Sequence, residues 1–365
     1  MNYADIEKLM NPIIKNFKVY DAMPSNETLI QKHSINSEKI VKLNGNENPF
    51  GPAPEVIDNL INIPINTYPD PELIRSRKSL SEYTGLNIEN IVVSSGSDEL
   101  IDLFFRIFVT PGDEVLDFTP TFGMYAVRAG LAGAKIVPVS RNIDFELDYE
   151  SIKQNVSDKT KIIFLASPNN PTGNESTLED IEFLLSLNKI LVVDEAYFEF
   201  SKSSYANLVE KYNNLVVIRS MSKWAGLAGL RVGYGLMSKE LAKLLMGVKN
   251  PYNVSTVAEE SLIVSLKYVD KLMEKVDEII VQREKLSDAL DQIDQIKVYP
   301  SKANFLLCKL ADNDIQTINN SLLNEGVFVR LFATKGLEKC FRVSIGSAED
   351  NEYFYTKLQK VLKSQ

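Results

Sequence analysis

From about residue 89 the chain alternates short continuous apolar runs with segments of helical period. Ile91–Ser94, Glu114–Phe118, Ala134–Val139, Lys161–Ala166, Ile190–Asp194, Leu215–Arg219 and Val232–Leu236 read as strands buried on both faces. Between the first two, Asp98–Phe108 places apolar residues at 100, 103, 104, 107 and 108, the spacing of one helix face, and Pro111-Gly112 ends it. Thr177-x-x-Asp180, an acidic relative of the capping box, opens the helix before Ile190. Repeated strand–helix units predict an α/β fold with a mostly parallel sheet covered by helices on both faces.

The pattern changes after Pro251. Thr256 to about Leu290 has the period of one long amphipathic helix. Strand-like Asn304–Leu310, Val327–Leu331 and Cys340–Ile345 then alternate with helices at 314–324 and 349–363, which predicts a second, smaller α/β layer. The first 40 or so residues are polar and weakly periodic, and are expected to form an arm packing on that layer. The expected organisation is an arm (1–43), a large domain (44–252) and a small C-terminal domain (253–365), without internal repeats.

Composition narrows the chemistry. The 365 residues are 44% hydrophobic and 24% charged, as in soluble globular proteins. A net charge of -9 opposes nucleic acid and anionic membrane as partners. Any bound anion must therefore be captured by a local cluster. His33 is the only histidine, and the two cysteines, Cys308 and Cys340, sit in apolar runs. That argues against a metal centre and against Ser-His-Asp or Cys-His catalysis, and leaves lysine or a cofactor to carry protons. No signal peptide opens the chain and no apolar run approaches the roughly 20 residues of a membrane span, so a cytoplasmic protein is expected.

Four segments put polar residues at the ends of strands, where open α/β sheets bind ligands. Ser94-Ser95-Gly96-Ser97-Asp98-Glu99 joins a strand to a helix start, a place for a phosphate, though by itself an ordinary N-cap is the simpler account. Ser167-Pro168-Asn169-Asn170-Pro171-Thr172-Gly173 is a turn carrying two adjacent amides. Asp194, in Val192-Val193-Asp194-Glu195-Ala196-Tyr197, ends an apolar strand and needs a partner. That partner is either a structural cation or a pyridinium nitrogen. Arg219-Ser220-Met221-Ser222-Lys223 follows another strand, with Arg231 eight positions on, and a desolvated lysine near cations forms Schiff bases. The glycines there fit neither a dinucleotide fingerprint nor a phosphate-binding loop of the Walker type.

Ser-Pro-Asn-Asn-Pro-Thr-Gly, Asp-Glu-Ala-Tyr and Ser-x-Ser-Lys, in this order, resemble the signatures of fold-type I pyridoxal 5′-phosphate (PLP) aminotransferases. A narrower set is similar to the histidinol-phosphate aminotransferases. It comprises Leu43-Asn44-Gly45-Asn46-Glu47-Asn48-Pro49, Tyr68-Pro69-Asp70-Pro71, Gly96-Ser97-Asp98-Glu99, Pro120-Thr121-Phe122-Gly123-Met124-Tyr125, Leu227-Ala228-Gly229-Leu230-Arg231 and Phe341-Arg342-Val343. The resemblance implies amino transfer between L-histidinol phosphate and 2-oxoglutarate, a step of histidine biosynthesis, with aromatic amino-acid transamination or phosphothreonine-type decarboxylation as alternatives. A PLP-binding regulatory protein would need a DNA-binding module, for which the chain has no spare segment.

The same resemblance implies residue roles. Lys223 holds PLP as a Schiff base; Ser97, Asp98, Ser220, Ser222 and Arg231 hold its phosphate. Asp194 pairs with the ring nitrogen, Asn170 and Tyr197 bond the phenolic oxygen, and Phe122 stacks on the ring. Tyr68 reaches the cofactor of a second subunit, which implies a homodimer. Tyr20, Asn46, Arg330 and Arg342 meet the substrate. Trp224, directly after the lysine, departs from the family pattern and is expected to alter the pocket wall. The residues support Arg342 independently: period two puts Arg342 and Ser344 on one polar face, either an exposed edge or a cleft.

Overall fold

The computed structural model describes residues 3–16, 24–33, 35, 39–311 and 314–364. Its centre is a seven-stranded sheet in the order Ile91–Ser94, Gly233–Met237, Leu215–Ser220, Ile190–Asp194, Thr160–Ala166, Glu114–Thr119, Lys135–Ser140. Gly233–Met237 runs antiparallel to both neighbours, and every other pairing is parallel. One reversed strand therefore begins at the edge where all the others end. Alternate residues of each strand enter two different cores: Ile163, Leu165 and Val193 face one, Ile162, Phe164 and Val192 the other. Burial on both sides explains why these strands read as continuous apolar runs.

The smaller sheet is antiparallel, in the order Arg330–Leu331, Cys340–Ser344, Phe305–Leu310, Ile296–Tyr299. Two expectations need correction here. The single helix from 256 to 290 is two, Thr256–Lys267 and Val269–Asp291, parted at Tyr268, whose φ of -111° and ψ of 31° leave the helical region. The apolar period runs on through the break, so pattern alone could not see it. The first of these helices lies against Ile74–Thr84, the second against Ile296–Tyr299 and the C-terminal helix Ala348–Lys363. The strand expected over 327–331 also divides: Val327–Phe328 pairs in parallel with Val41–Lys42, while Arg330–Leu331 joins the small sheet.

Among the N-terminal residues, the helix Asn26–His33 packs Leu29 against Leu323 and Phe328, whereas Pro12–Asn16 lies on the helix Met124–Ala132 that covers the large sheet. This segment thus touches both sheets' surroundings. Among the described residues no helix is long and apolar enough to cross a membrane, and no group of three metal-ligating side chains is found.

Candidate active site

The strand ends and the small sheet enclose a cavity of about 410 Å³. Thirteen of the fifteen residues expected at the site line it: Ser97, Asp98, Phe122, Asn170, Asp194, Tyr197, Ser220, Ser222, Lys223, Arg231, Asn46, Arg330 and Arg342. Tyr68 does not; it is exposed and stacks on Tyr252, with ring centroids 4.5 Å apart. Tyr20 lies outside the described residues.

Lys223 follows the strand Leu215–Ser220 and points its Nζ to within 3.3 Å of the Gly45 carbonyl. Burial, and then the nearby Arg342 and Arg231, pull its ammonium down to about 8. Near that pH half of it is free amine, the nucleophilic form. Asp194 is buried at the end of its strand. Its Oδ2 accepts from the Tyr125 hydroxyl at 2.7 Å and its Oδ1 from the Ala196 amide at 3.1 Å. Burial nevertheless raises its carboxyl to about 6. An aromatic cation facing it from the cavity would offset that burial.

On one side the helix Ser97–Phe108 presents its start to the cavity, with Gly96 before it at φ 74°. A side chain at Gly96 would meet Arg231 Nη2 at 2.8 Å, and one at Gly233 would meet the Ser97 amide nitrogen at the same distance, so glycine keeps this corner open. Arg231 Nη2 donates to Asp98 Oδ2 at 3.1 Å and Nη1 to Ser222 Oγ at 3.3 Å, while the Ser222 amide donates to Ser220 Oγ at 3.1 Å. The Asp98 carboxylate is therefore engaged with Arg231, and the group it offers an anion is its backbone N–H.

The opposite wall comes from the small sheet. Arg330 and Arg342 are directly opposite in register on adjacent strands. Arg342 is buried on an inner strand, which resolves the choice between edge and cleft: its Nη1 donates to Asn170 Oδ1 at 2.6 Å and its Nη2 to the Asn44 carbonyl at 2.7 Å. Ser344, two residues on, accepts from the Asn46 amide and donates to Asn46 Oδ1. Asn46 in turn donates to the Tyr197 hydroxyl at 2.9 Å.

Sequence reasoning assigned no role to Tyr125, Asn44 or Gly45, although all three sit in quoted motifs. Tyr125 stands in the first turn of the helix Met124–Ala132, and its ring meets Phe122 edge-on at 5.6 Å. Trp224 is a correction. It is fully buried, stacks on Tyr83 with centroids 5.7 Å apart and takes no part in the cavity wall. The side chain at this position faces the core, so its size bears on packing there instead of on the pocket. Asn169 likewise turns inward, bonding the Pro120 carbonyl and Thr172, and only the second asparagine of the pair reaches the cavity.

A lysine, a buried carboxylate and a helix start thus meet in one cavity at the strand ends of the large sheet. The sequence profile of the family described as aminotransferase class I and II matches residues 38–358, and the chain belongs to that family. More particularly, the chain is similar to the histidinol-phosphate aminotransferases. It is 41% identical to that of Roseiflexus castenholzii, spanning 98% of this chain and 99% of the relative, and 40% identical to the chloroplastic protein of Nicotiana tabacum, spanning 98% and 86%. The histidinol-phosphate aminotransferase of Sinorhizobium meliloti, solved in complex with pyridoxal-5′-phosphate, shares the fold, with a TM-score of 0.87 at 24% identity over 97% of this chain and 98% of that one.

Proposed function

We propose that the protein transfers the amino group of L-histidinol phosphate to 2-oxoglutarate, with PLP bound at Lys223, as a cytoplasmic homodimer of histidine biosynthesis. The observation that carries this reading is a single cavity in which Lys223 and the buried Asp194 face two arginines set opposite one another. The names of the curated relatives support the substrate pair. PLP would supply an electron sink for the carbon bearing the amine. Ser97 and the Asp98 amide, with Ser220, Ser222 and Arg231, would hold its phosphate. Asp194 would keep the ring nitrogen protonated, held in place by Tyr125. Asn170 and Tyr197 would bond the phenolic oxygen and Phe122 would cover the ring. The Lys223 amine, released when substrate binds, would carry the proton from the substrate Cα. Asn46, Arg330, Arg342 and Tyr20 are assigned to the substrate.

The dimer reading rests on Tyr68. This ring is 80% exposed and stacks on Tyr252, also exposed, a pair of rings suited to contact with a second copy. Tyr68 would then reach the partner's cofactor phosphate. Residues 44–252 would form the large domain, 253–365 the small one, and 1–43 an arm.

Mixing PLP-loaded protein with histidinol phosphate, without oxo-acid, is expected to convert the bound cofactor to its amine form in one turnover, read as an absorbance shift. Conversion by phenylalanine or tyrosine in preference to histidinol phosphate would favour an aromatic aminotransferase, and release of carbon dioxide from a phosphorylated amino acid the decarboxylase.

A further inference from the structure

Lys249 follows the helix Lys239–Val248 and is buried, a rare place for an ammonium. Its Nζ donates to the Pro71 carbonyl at 2.9 Å, to Asn253 Oδ1 at 3.1 Å, and lies 3.3 Å from the carbonyls of Asn250 and Pro251. These acceptors are neutral oxygens from two separate stretches of chain. A buried cation held in this way fixes geometry: it gathers the loop after the helix and the segment ending in Pro71 around one point.

Two routes leave that point. In one, Asn253 Nδ2 donates to Glu99 Oε2 at 2.8 Å and to the Val93 carbonyl at 3.2 Å. The same Glu99 oxygen accepts the Ser95 amide at 2.6 Å, and so sets the turn that opens the helix Ser97–Phe108. In the other, Pro71 lies three residues beyond Tyr68, and Tyr252, within the loop that Lys249 gathers, stacks on the Tyr68 ring with an interplanar angle of 20°. The two routes end at the two elements proposed above to hold cofactor phosphates, one in this chain and one in its partner.

We propose that Lys249 is a positioning residue shared by two cofactor sites: through Asn253 and Glu99 it sets its own chain's phosphate turn, and through Pro71 and Tyr252 it sets the Tyr68 ring. The second half rests on the reading of Tyr68 as a residue delivered to the partner subunit. The arrangement also ties the two sites of a dimer to one side chain, so that a change at Lys249 weakens both routes together.

Titration of the cofactor-free protein with PLP, in wild type and in Lys249→Met, Tyr68→Ala, Asn253→Ala and the double variants with Tyr68→Ala, tests this without recourse to turnover. Loss of an oriented hydrogen bond to the charged phosphate is expected to weaken PLP binding by about tenfold or more, for Tyr68→Ala and for Lys249→Met. The effect of Lys249→Met should be smaller in the Tyr68→Ala background than in wild type, because one of its routes is already cut. Asn253→Ala cuts only the other route, so its loss should add in full to that of Tyr68→Ala. A Lys249→Met affinity within about twofold of wild type, or a loss fully additive with Tyr68→Ala, would overturn the proposal. Should Lys249→Met fail to fold, an unchanged affinity in Asn253→Ala overturns the route within the chain. An unchanged affinity in Tyr68→Ala alone would instead refute the reading of Tyr68, and with it the shared role, while Asn253→Ala still reports the first route.

Discussion

The two walls of the cavity carry different kinds of anion donor. On the large-sheet side the donors are backbone N–H groups at a helix start, two hydroxyls and Arg231, whose charge is matched by Asp98 at 3.1 Å. On the small-sheet side two guanidiniums, Arg330 and Arg342, stand opposite one another on neighbouring strands. Like charges so placed repel, and an anion between or beside them would offset that repulsion. Fixed backbone donors with near-neutral charge suit a group that stays. A pair of cationic side chains suits anions of different charge that come and go, because a guanidinium fork fits carboxylate and phosphate alike. Lys223 lies between the two walls, and its lowered proton affinity owes something to both, through Arg342 and Arg231.

The sharpest way to break this contrast is at its centre. Lys223→Ala should still bind PLP through the cradle and Asp194, yet lose single-turnover transamination by roughly 10²- to 10⁴-fold, the contribution of a positioned acid–base group. A loss smaller than tenfold would take the proton transfer away from Lys223. Borohydride reduction of the wild-type holoprotein should fix the cofactor on the peptide containing Lys223, and a label on another lysine would do the same damage.

On the exchangeable side, Arg342→Ala should lower kcat/KM for histidinol phosphate and for glutamate alike, by roughly ten- to hundredfold, since each would lose a charge-assisted hydrogen bond. An effect confined to glutamate would make Arg342 a carboxylate anchor only. On the permanent side the test is one of stability. The Asp194 carboxyl is raised from 3.8 to about 6 by burial. A carboxyl whose folded pKa is raised lends stability below its unfolded pKa, and that stability is lost as pH rises through the folded value. Cofactor-free Asp194→Asn should therefore gain on wild type between about pH 4 and pH 6, by up to about 3 kcal/mol above pH 6. Urea melts at pH 4 and pH 7.5 check the sign. No gain at the higher pH would mean that Tyr125 and the Ala196 amide already compensate the buried charge.

Much of the seven-stranded sheet was legible because its strands are short, apolar and punctuated. Ile190–Asp194 and Ile91–Ser94 have the ends that pattern predicts, and the cap at Thr177 forms the expected reciprocal pair with Asp180. The four-stranded sheet and the helices beside it were harder. Ile296–Tyr299 alternates in so short a span after a helix that it gave no separate signal, and the break at Tyr268 is invisible to a period that continues across it. In the site, Lys223 and Asp194 could be found because chemistry and strand ends both marked them. Tyr125 could not, since its role depends on a side chain 69 positions away, and an aromatic on a helix face reads as core. Trp224 misled for a related reason: adjacency in sequence to Lys223 does not mean adjacency to the cavity, because successive residues of a turn point opposite ways.

Whether the two walls divide their labour as described is tested most directly at Arg330. Its charge should matter more for a dianionic phosphate than for a carboxylate, while Arg342 serves both. Single-turnover kcat/KM is to be measured for histidinol phosphate and for glutamate in wild type and in Arg330→Ala. The expected result is a fall of about tenfold in the ratio of histidinol phosphate to glutamate, the effect of roughly one charge-assisted hydrogen bond. Equal losses for the two amines, leaving the ratio unchanged, would contradict the account.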